Sequence, residues 1–130
     1  MTERTVVFLD VASLSVIEGH GPKRVLWLKS KIEMEGFWTR PLKVEKTKRL
    51  IMDGHHRFEV AKAMGLRLVP AELFTYDEVN VWTLRPKIKV TSEVIMRNHV
   101  KGVVFPYKTA KHSFPDGALY FEGVHLDKLR

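Results

Sequence analysis

The sequence predicts an α+β fold in which a small mixed sheet is flanked by helices. Short runs of β-branched and aromatic residues alternate with longer stretches of helical periodicity, and glycine and proline fall between them. The chain of 130 residues has room for one modest hydrophobic core. We therefore expect residues 1–130 to form a single domain.

The first half of the chain predicts a strand, a helix and a hairpin. Residues 5–10 are rich in β-formers, and a glycine-rich loop then leads into a helix near residues 22–36. Strands near residues 41–45 and 49–53 are separated by a charged turn. The second strand of this hairpin therefore runs directly towards the next helix.

The second half adds two more helices and four strands. An amphipathic helix near residues 55–64 ends at Gly65, a common C-terminal cap, and Thr91 is placed to cap a helix near residues 91–101. The remaining strands are expected near residues 68–73, 79–84, 102–105 and 118–122. This mixture of short strands and helices favours the α+β class.

The most informative stretch lies where the hairpin gives way to the second helix. Asp53 is placed to cap that helix, and Gly54 lets the backbone approach a ligand. The unpaired N–H groups of the first helical turn attract anions, and Arg57 adds a planar guanidinium suited to phosphate or carboxylate. We expect His55 and His56 to donate hydrogen bonds to phosphate. A simpler interpretation stays open, in which Asp-Gly is an ordinary turn and both histidines are solvated.

A protein-bound metal site is not predicted at this turn. Consecutive helical residues point about 100° apart, so His55 and His56 cannot easily share one ion. The chain also has no cysteine to complete a zinc site. The absence of cysteine excludes disulfides and thiol catalysis as well.

The Asp-Gly-His-His-Arg turn, with its flanking strands and helix, resembles the ParB/sulfiredoxin superfamily. In that superfamily the corresponding turn contacts nucleotide phosphates. The double histidine is closer to the free L-serine kinase branch, which includes the siderophore-associated serine kinase. Those enzymes transfer a phosphoryl group from ADP or ATP to the hydroxyl of free serine and form O-phosphoserine. The resemblance implies the same activity here, whereas sulfiredoxin activity needs a cysteine that the chain lacks.

Two single residues match functional positions of these kinases. Glu18 matches a glutamate that is thought to take the proton from the serine hydroxyl, although the usual His-Glu order is absent and His20 follows instead. Trp82 matches a tryptophan that lines the serine pocket. Without the resemblance, Glu18 would be interpreted as a capping or solvated residue, and Trp82 as a core residue.

The segment after the third helix resembles the kinase loop that holds the serine carboxylate and the nucleotide phosphates. Lys108, Thr109 and His112 match that loop outright. Lys111 replaces an arginine, which keeps the charge and loses the bidentate geometry, and Ala110 replaces a threonine hydroxyl. The resemblance implies that these cations and donors bind phosphate, with Lys111 and His112 also near serine. Read without it, the segment is a solvated basic loop.

The matches together imply a mechanism. Glu18 accepts the proton of the substrate hydroxyl, while the turn from Asp53 to Arg57 binds the nucleotide phosphates and Mg²⁺ bridges their oxygens. Asp53 acts either on the phosphates, on the acceptor or on the metal ion. The sequence does not separate these roles.

The charge of +7 and the pI near 9.8 suit a polyanionic nucleotide. Nucleic acid is a secondary interpretation, because lysine and arginine are spread along the chain and no helix-turn-helix segment follows His112. No segment approaches the roughly 20 apolar residues of a membrane helix, and the first residues lack the pattern of a signal peptide. We expect a cytoplasmic protein.

The chain is shorter than the familiar kinases, and the missing part falls between Trp82 and Val90. A second chain would then supply cover over the substrate, so a homodimer is one expectation. Two other functions stay open. One is a nucleotide-sensing or DNA-binding regulator that transfers no phosphate, and the other is a kinase or hydrolase for a different small hydroxyl compound.

Overall fold

The computed structural model describes residues 5–115 and 121–130. In chain order, its helices and strands are β1 (Val7–Asp10), α1 (Pro22–Glu35), β2 (Phe37–Trp38), β3 (Leu42–Glu45), β4 (Ile51–Asp53), α2 (His55–Ala63), β5 (Leu68–Phe74), β6 (Asn80–Thr83), α3 (Ser92–Lys101), β7 (Ala110–Ser113) and β8 (Val124–His125). Short 3₁₀ helices follow β1 and β8. The predicted α+β class is confirmed.

A four-stranded mixed sheet in the order β1-β5-β3-β4 forms the centre of the fold. β5 runs antiparallel to β1 and parallel to β3, and β3 and β4 form the predicted antiparallel hairpin. The hairpin turn is held by the Glu45 carboxylate, which accepts hydrogen bonds from the Thr47 hydroxyl and from the Thr47 and Lys48 backbone N–H groups. This turn directs β4 towards the start of α2.

The main hydrophobic core joins α1 and α2 to the central sheet. α1 contributes Leu28 and Ile32, which are 3% exposed, and α2 contributes Phe58 and Val60. Leu129, from the last 3₁₀ helix, is fully buried in the same cluster. Because α1 and α2 share this core, the loop before α1 lies near the first turn of α2.

A second apolar cluster anchors α3 and the antiparallel ribbon of β6 and β7. Ile95 of α3 packs with Ile17, Leu50 and Phe105. The Phe105 backbone also donates to the Ile17 carbonyl and accepts from the Gly19 N–H, both at 2.9 Å. The loop over residues 17–19 is therefore held against the segment that precedes β7.

Several predicted boundaries need correction. The strand expected over residues 102–105 is absent, because Gly102 ends α3 with a left-handed φ of 71° and Phe105 forms only an isolated bridge with Glu18. β7 instead lies in the segment that was interpreted as a basic loop. The short strands β2 and β8, which pair with each other, were not predicted. Of the strand expected over residues 118–122, residues 118–120 lie outside the described residues, and residues 121–122 are not in a strand.

Two predicted helix caps have opposite outcomes. Thr91 caps α3 as predicted, since its Oγ1 accepts a hydrogen bond from the Val94 N–H at 3.2 Å. The prediction that Asp53 caps α2 is wrong, because Asp53 is the last residue of β4 and lies opposite Lys43. Gly54 occupies the capping position instead, with φ 103°.

None of the helices in residues 5–115 and 121–130 has the combined length and apolar character of a membrane span.

We predict that Gly54→Ala destabilises the fold much more than Gly65→Ala. A Cβ at Gly54 would lie 2.6 Å from Leu42 Cδ2 in a backbone with φ +103°, whereas a Cβ at Gly65 would meet nothing within 4 Å at φ +67°. Backbone strain alone costs about 1 kcal/mol, and overpacking adds roughly 1–3 kcal/mol at Gly54 only. Urea unfolding measures both losses, and equal losses would contradict this packing.

Candidate active site

A cavity of about 300 Å³ lies where the loop before α1, the β4–α2 turn and β7 meet. Three separate segments of the chain contribute predicted site residues to its wall: Glu18 from the first, Asp53, Gly54, His55, His56 and Arg57 from the second, and Lys108, Lys111 and His112 from the third. The fold therefore brings together residues that are about 90 positions apart in sequence. This convergence makes the cavity the candidate active site, and we call it the cleft.

A larger open groove, of about 1070 Å³, lies elsewhere on the surface, where it is lined by residues such as Val11, Leu66 and Val103. It contains none of the predicted site residues. Size alone would favour this groove, but the convergence of titratable groups favours the cleft.

Glu18 is the most constrained acid in the cleft, with 9% of its surface exposed. Its carboxylate accepts hydrogen bonds from the Thr109 N–H at 3.2 Å and the Ala110 N–H at 3.3 Å. Burial raises the pKa of Glu18 above its ordinary value of 4.5, although these backbone donors act in the opposite direction. A buried carboxylate with increased proton affinity is well suited to act as a general base.

Thr109 is fully buried and does not line the cleft. Its hydroxyl donates to the Pro106 carbonyl at 2.6 Å and accepts from Arg85 Nε at 3.1 Å. Arg85 also donates through Nη2 to the Tyr107 carbonyl at 2.6 Å. The Thr109 side chain thus fixes the shape of the loop, and its backbone N–H contacts Glu18. Arg85 was not predicted as a site residue, because nothing local in the sequence indicates a contact that spans 24 residues.

The first turn of α2 connects the two histidines to the loop that carries Glu18. His55 Nε2 accepts from the Ile17 N–H at 3.2 Å, and His56 Nε2 accepts from the Gly21 N–H at 3.1 Å. Burial lowers the pKa of His55 to about 3 and also lowers the pKa of His56. Both rings are therefore neutral near pH 7, and Nδ1–H is the group through which each can donate.

Three arginines line the cleft near this helix terminus. Burial lowers the pKa of Arg57, and the positive charges of Arg40 and Arg24 lower it further. Guanidinium groups that repel one another in a half-buried site are stabilised by an anionic ligand. Of these three arginines, only Arg57 was predicted from the sequence. Arg24, in the first turn of α1, and Arg40, before β3, look like ordinary surface residues in the sequence.

The β6–β7 ribbon supplies the remaining predicted residues. Burial lowers the pKa of His112 to about 4, and Nε2 of this ring lies 3.0 Å from the Tyr76 hydroxyl. Trp82 lies opposite Lys111 in the ribbon register and is 44% exposed. Trp82 does not line the cleft, although Leu84, the residue that follows β6, does. The ribbon thus brings Lys111 and His112 to the cleft and leaves Trp82 at the surface beside it.

Within the described part of the chain, no group of three or more His, Cys, Asp or Glu side chains is arranged to hold a metal ion. Asp53 nevertheless offers one exposed carboxylate in the cleft. Mg²⁺ commonly binds through nucleotide phosphates and only one or two protein carboxylates. The residues present therefore fit an ion carried by a nucleotide.

The comparisons with known proteins point to one class of enzyme. No protein-family model matches the chain. An ATP-dependent L-serine kinase from Staphylothermus marinus is 37% identical over 79 residues, which cover 58% of this chain and 31% of that protein. The matched region is therefore less than a third of that kinase.

Solved structures with low sequence identity share the fold over nearly the whole chain. A free serine kinase in complex with AMP is 15% identical, with a TM-score of 0.84 over 96% of this chain and 93% of that one. SbnI from Staphylococcus aureus, truncated at its C-terminus, is 14% identical, with a TM-score of 0.84 over 96% and 89%. The chain thus has the same fold as the free serine kinase and SbnI. Together with the sequence similarity to an L-serine kinase over 58% of the chain, this fold confirms the predicted resemblance to serine kinases.

Proposed function

We propose that this chain transfers a phosphoryl group from ADP or ATP to the hydroxyl of free L-serine. The observation that carries the proposal is the position of Glu18, a buried carboxylate that shares one small cleft with a helix N-terminus and three arginines. A general base and an anion site are the two parts that phosphoryl transfer to an alcohol requires. The similarity to serine kinases supports the choice of serine as acceptor.

Glu18 acts as the base in this proposal. As the serine oxygen forms its bond to the terminal phosphorus, the bond from that phosphorus to the bridging oxygen breaks and the shortened nucleotide leaves. The hydroxyl proton passes to a Glu18 carboxylate oxygen. The Thr109 and Ala110 N–H groups keep the carboxylate oriented while burial raises its proton affinity.

The donor phosphates lie at the first turn of α2. No side chain caps the first N–H groups of this helix, and Arg57 provides a charged fork beside them. Arg24 and Arg40 line the same cleft and supply further positive charge. These groups bind the phosphates of ADP and ATP alike, so the donor stays open between the two.

The acceptor lies between Glu18 and the β6–β7 ribbon. Lys108 and Lys111 line the cleft and can pair with the serine carboxylate, while His112 contributes a buried ring. Trp82, at the surface beside Lys111, is available to cover the substrate. The Ala110 side chain offers no hydroxyl, so the proposed binding of the serine carboxylate depends on the charges of Lys108 and Lys111.

Asp53 would hold Mg²⁺ on the nucleotide, where the ion supplies charge neutralisation for the phosphate oxygens. The nearby charge of Asp53 also acts on His112 and Arg57. The Asp53 charge therefore favours the protonated form both of His112 in β7 and of Arg57 in α2.

We expect purified protein to form O-phosphoserine from free L-serine, Mg²⁺ and either ADP or ATP, as followed by phosphorus NMR. Glu18→Gln should lower kcat by about 10²–10⁴-fold because the base is lost. Glu33→Gln is the matched control, since Glu33 pairs with Lys29 on the exposed side of α1. Nucleotide binding without product from either donor would refute the kinase and favour a nucleotide-sensing regulator. Equal activity of Glu18→Gln and wild type would remove Glu18 from the role of base.

Arg57→Ala should weaken nucleotide binding by about 10–100-fold, because a charged hydrogen bond to phosphate is worth roughly 1.5–3 kcal/mol. Calorimetric titration with ADP in the absence of serine measures this change directly. Arg97→Ala, an exposed residue of α3 outside the cleft, should leave the dissociation constant unchanged. Similar affinities for both variants would show that the phosphates bind elsewhere.

A further inference from the structure

We infer that His55 and His56 are positioning residues, which hold the loop that carries Glu18 by accepting its backbone N–H groups. The inference rests on the proposed function, since it assigns the double histidine a role in placing the base. It also gives the Gly-His-His sequence a task distinct from phosphate binding. The task depends on contacts 38 and 35 residues away in sequence.

The two hydrogen bonds lie on either side of Glu18. His55 Nε2 accepts from the Ile17 N–H, one residue before Glu18, and His56 Nε2 accepts from the Gly21 N–H, three residues after it. Consecutive residues on a helix point about 100° apart, so adjacent rings can reach two different points of one loop. A single histidine could not hold both points.

The loop over residues 17–21 has little other support of this kind. It contains no regular helix or strand, and an isolated bridge to Phe105 holds its centre. Phe105 occupies the Ile17 carbonyl and the Gly19 N–H, but the Ile17 and Gly21 N–H groups are left to the imidazoles. Backbone N–H groups that lose their partner in a half-buried site are costly. Removing either ring would therefore let the loop shift.

Packing around Gly21 makes the second contact specific. The His56 ring meets the Tyr107 ring edge to face, with centroids 5.2 Å apart. A Cβ at Gly21 would lie 3.2 Å from Tyr107 Cε2, so the glycine lets the loop pass close to both rings. Tyr107 precedes the backbone donors that hold the Glu18 carboxylate. The histidines thus hold the backbone of the base, and the Tyr107 loop holds its carboxylate.

The ring protonation state agrees with this geometry. An imidazole nitrogen can accept a hydrogen bond only when it carries no proton. Burial keeps the pKa values of both rings low, so both rings are neutral. Because Nε2 accepts a backbone N–H in each ring, the ring proton resides on Nδ1.

The test compares His56→Leu, which removes the acceptor, with His56→Gln, whose side-chain oxygen can replace Nε2. Amide hydrogen exchange at Gly21, measured by NMR without any substrate, should accelerate in His56→Leu and return towards the wild-type rate in His56→Gln. In the kinase assay, His56→Leu should lower kcat by about 10–100-fold because the base is misplaced. The dissociation constant for ADP should stay unchanged, and glutamine should restore most of kcat.

A double-mutant cycle with Glu18→Gln separates positioning from direct contact. If His56 acts through Glu18, then adding His56→Leu to Glu18→Gln should lower the residual rate little further.

Two results would overturn the inference. One is an unchanged rate of amide exchange at Gly21 in His56→Leu, and the other is a tenfold loss of ADP affinity in His56→Leu at unchanged kcat. If the wild-type protein shows no kinase activity, the proposed function fails, while hydrogen exchange still decides whether the histidines hold this loop. If His56→Leu does not fold, the test uses His56→Gln alone. Loss of the protection of the Gly21 amide from exchange in that variant would overturn the inference.

Discussion

The arrangement of the cleft depends on the hydrogen bonds from the Thr109 and Ala110 N–H groups to the Glu18 carboxylate. They join residues about 90 positions apart and connect the loop before α1 to the start of β7. The backbone bridge between Glu18 and Phe105 reinforces the same connection. Because the cleft walls come from both sides of this junction, losing it would separate the proposed base from the ribbon that carries Lys111 and His112.

Burying a carboxylate is unfavourable unless hydrogen bonds replace its hydration, and here two backbone donors provide that replacement. The balance leaves Glu18 with an increased proton affinity, which is the property a base needs at neutral pH. The positive charges of Arg40 and Arg24 act unfavourably on the half-buried Arg57 guanidinium, and an anion would relieve that repulsion. The base and the anion site are thus both prepared for substrates, since Glu18 has an increased affinity for the hydroxyl proton and Arg57 is stabilised by a phosphate.

Local patterns predicted the fold where the determinant lies within a few residues. Short segments of sequence were enough to predict the Gly54 turn, the start of α2 at His55 and the Thr91 cap. The strand expected at residues 102–105 failed because Val103 and Val104 follow a left-handed glycine and lie half-exposed instead of pairing. Asp53 resembled a cap, but strand pairing holds it in β4.

The site could likewise be predicted only where short segments of sequence carry the information. Arg57 was predicted from the chemistry of its turn, whereas Glu18, Lys111 and His112 were identified by resemblance, and the fold places these four residues together. Arg24, Arg40 and Arg85 were missed, because their relevance depends on contacts between distant segments. The two histidine hydrogen bonds are likewise invisible in sequence, although the residue pair itself was conspicuous.

The central claim, that the buried Glu18 carboxylate is the base, is tested most directly by titrating it. Carbon NMR should give Glu18 a pKa above 4.5, while Glu45, whose turn hydrogen bonds outweigh its burial, titrates below that value in the same sample. Only the ionised carboxylate accepts a proton, so kcat/KM should fall as the pH drops through the measured pKa of Glu18. A Glu18 pKa at or below 4.5, or an acid limb that does not follow it, would contradict the account.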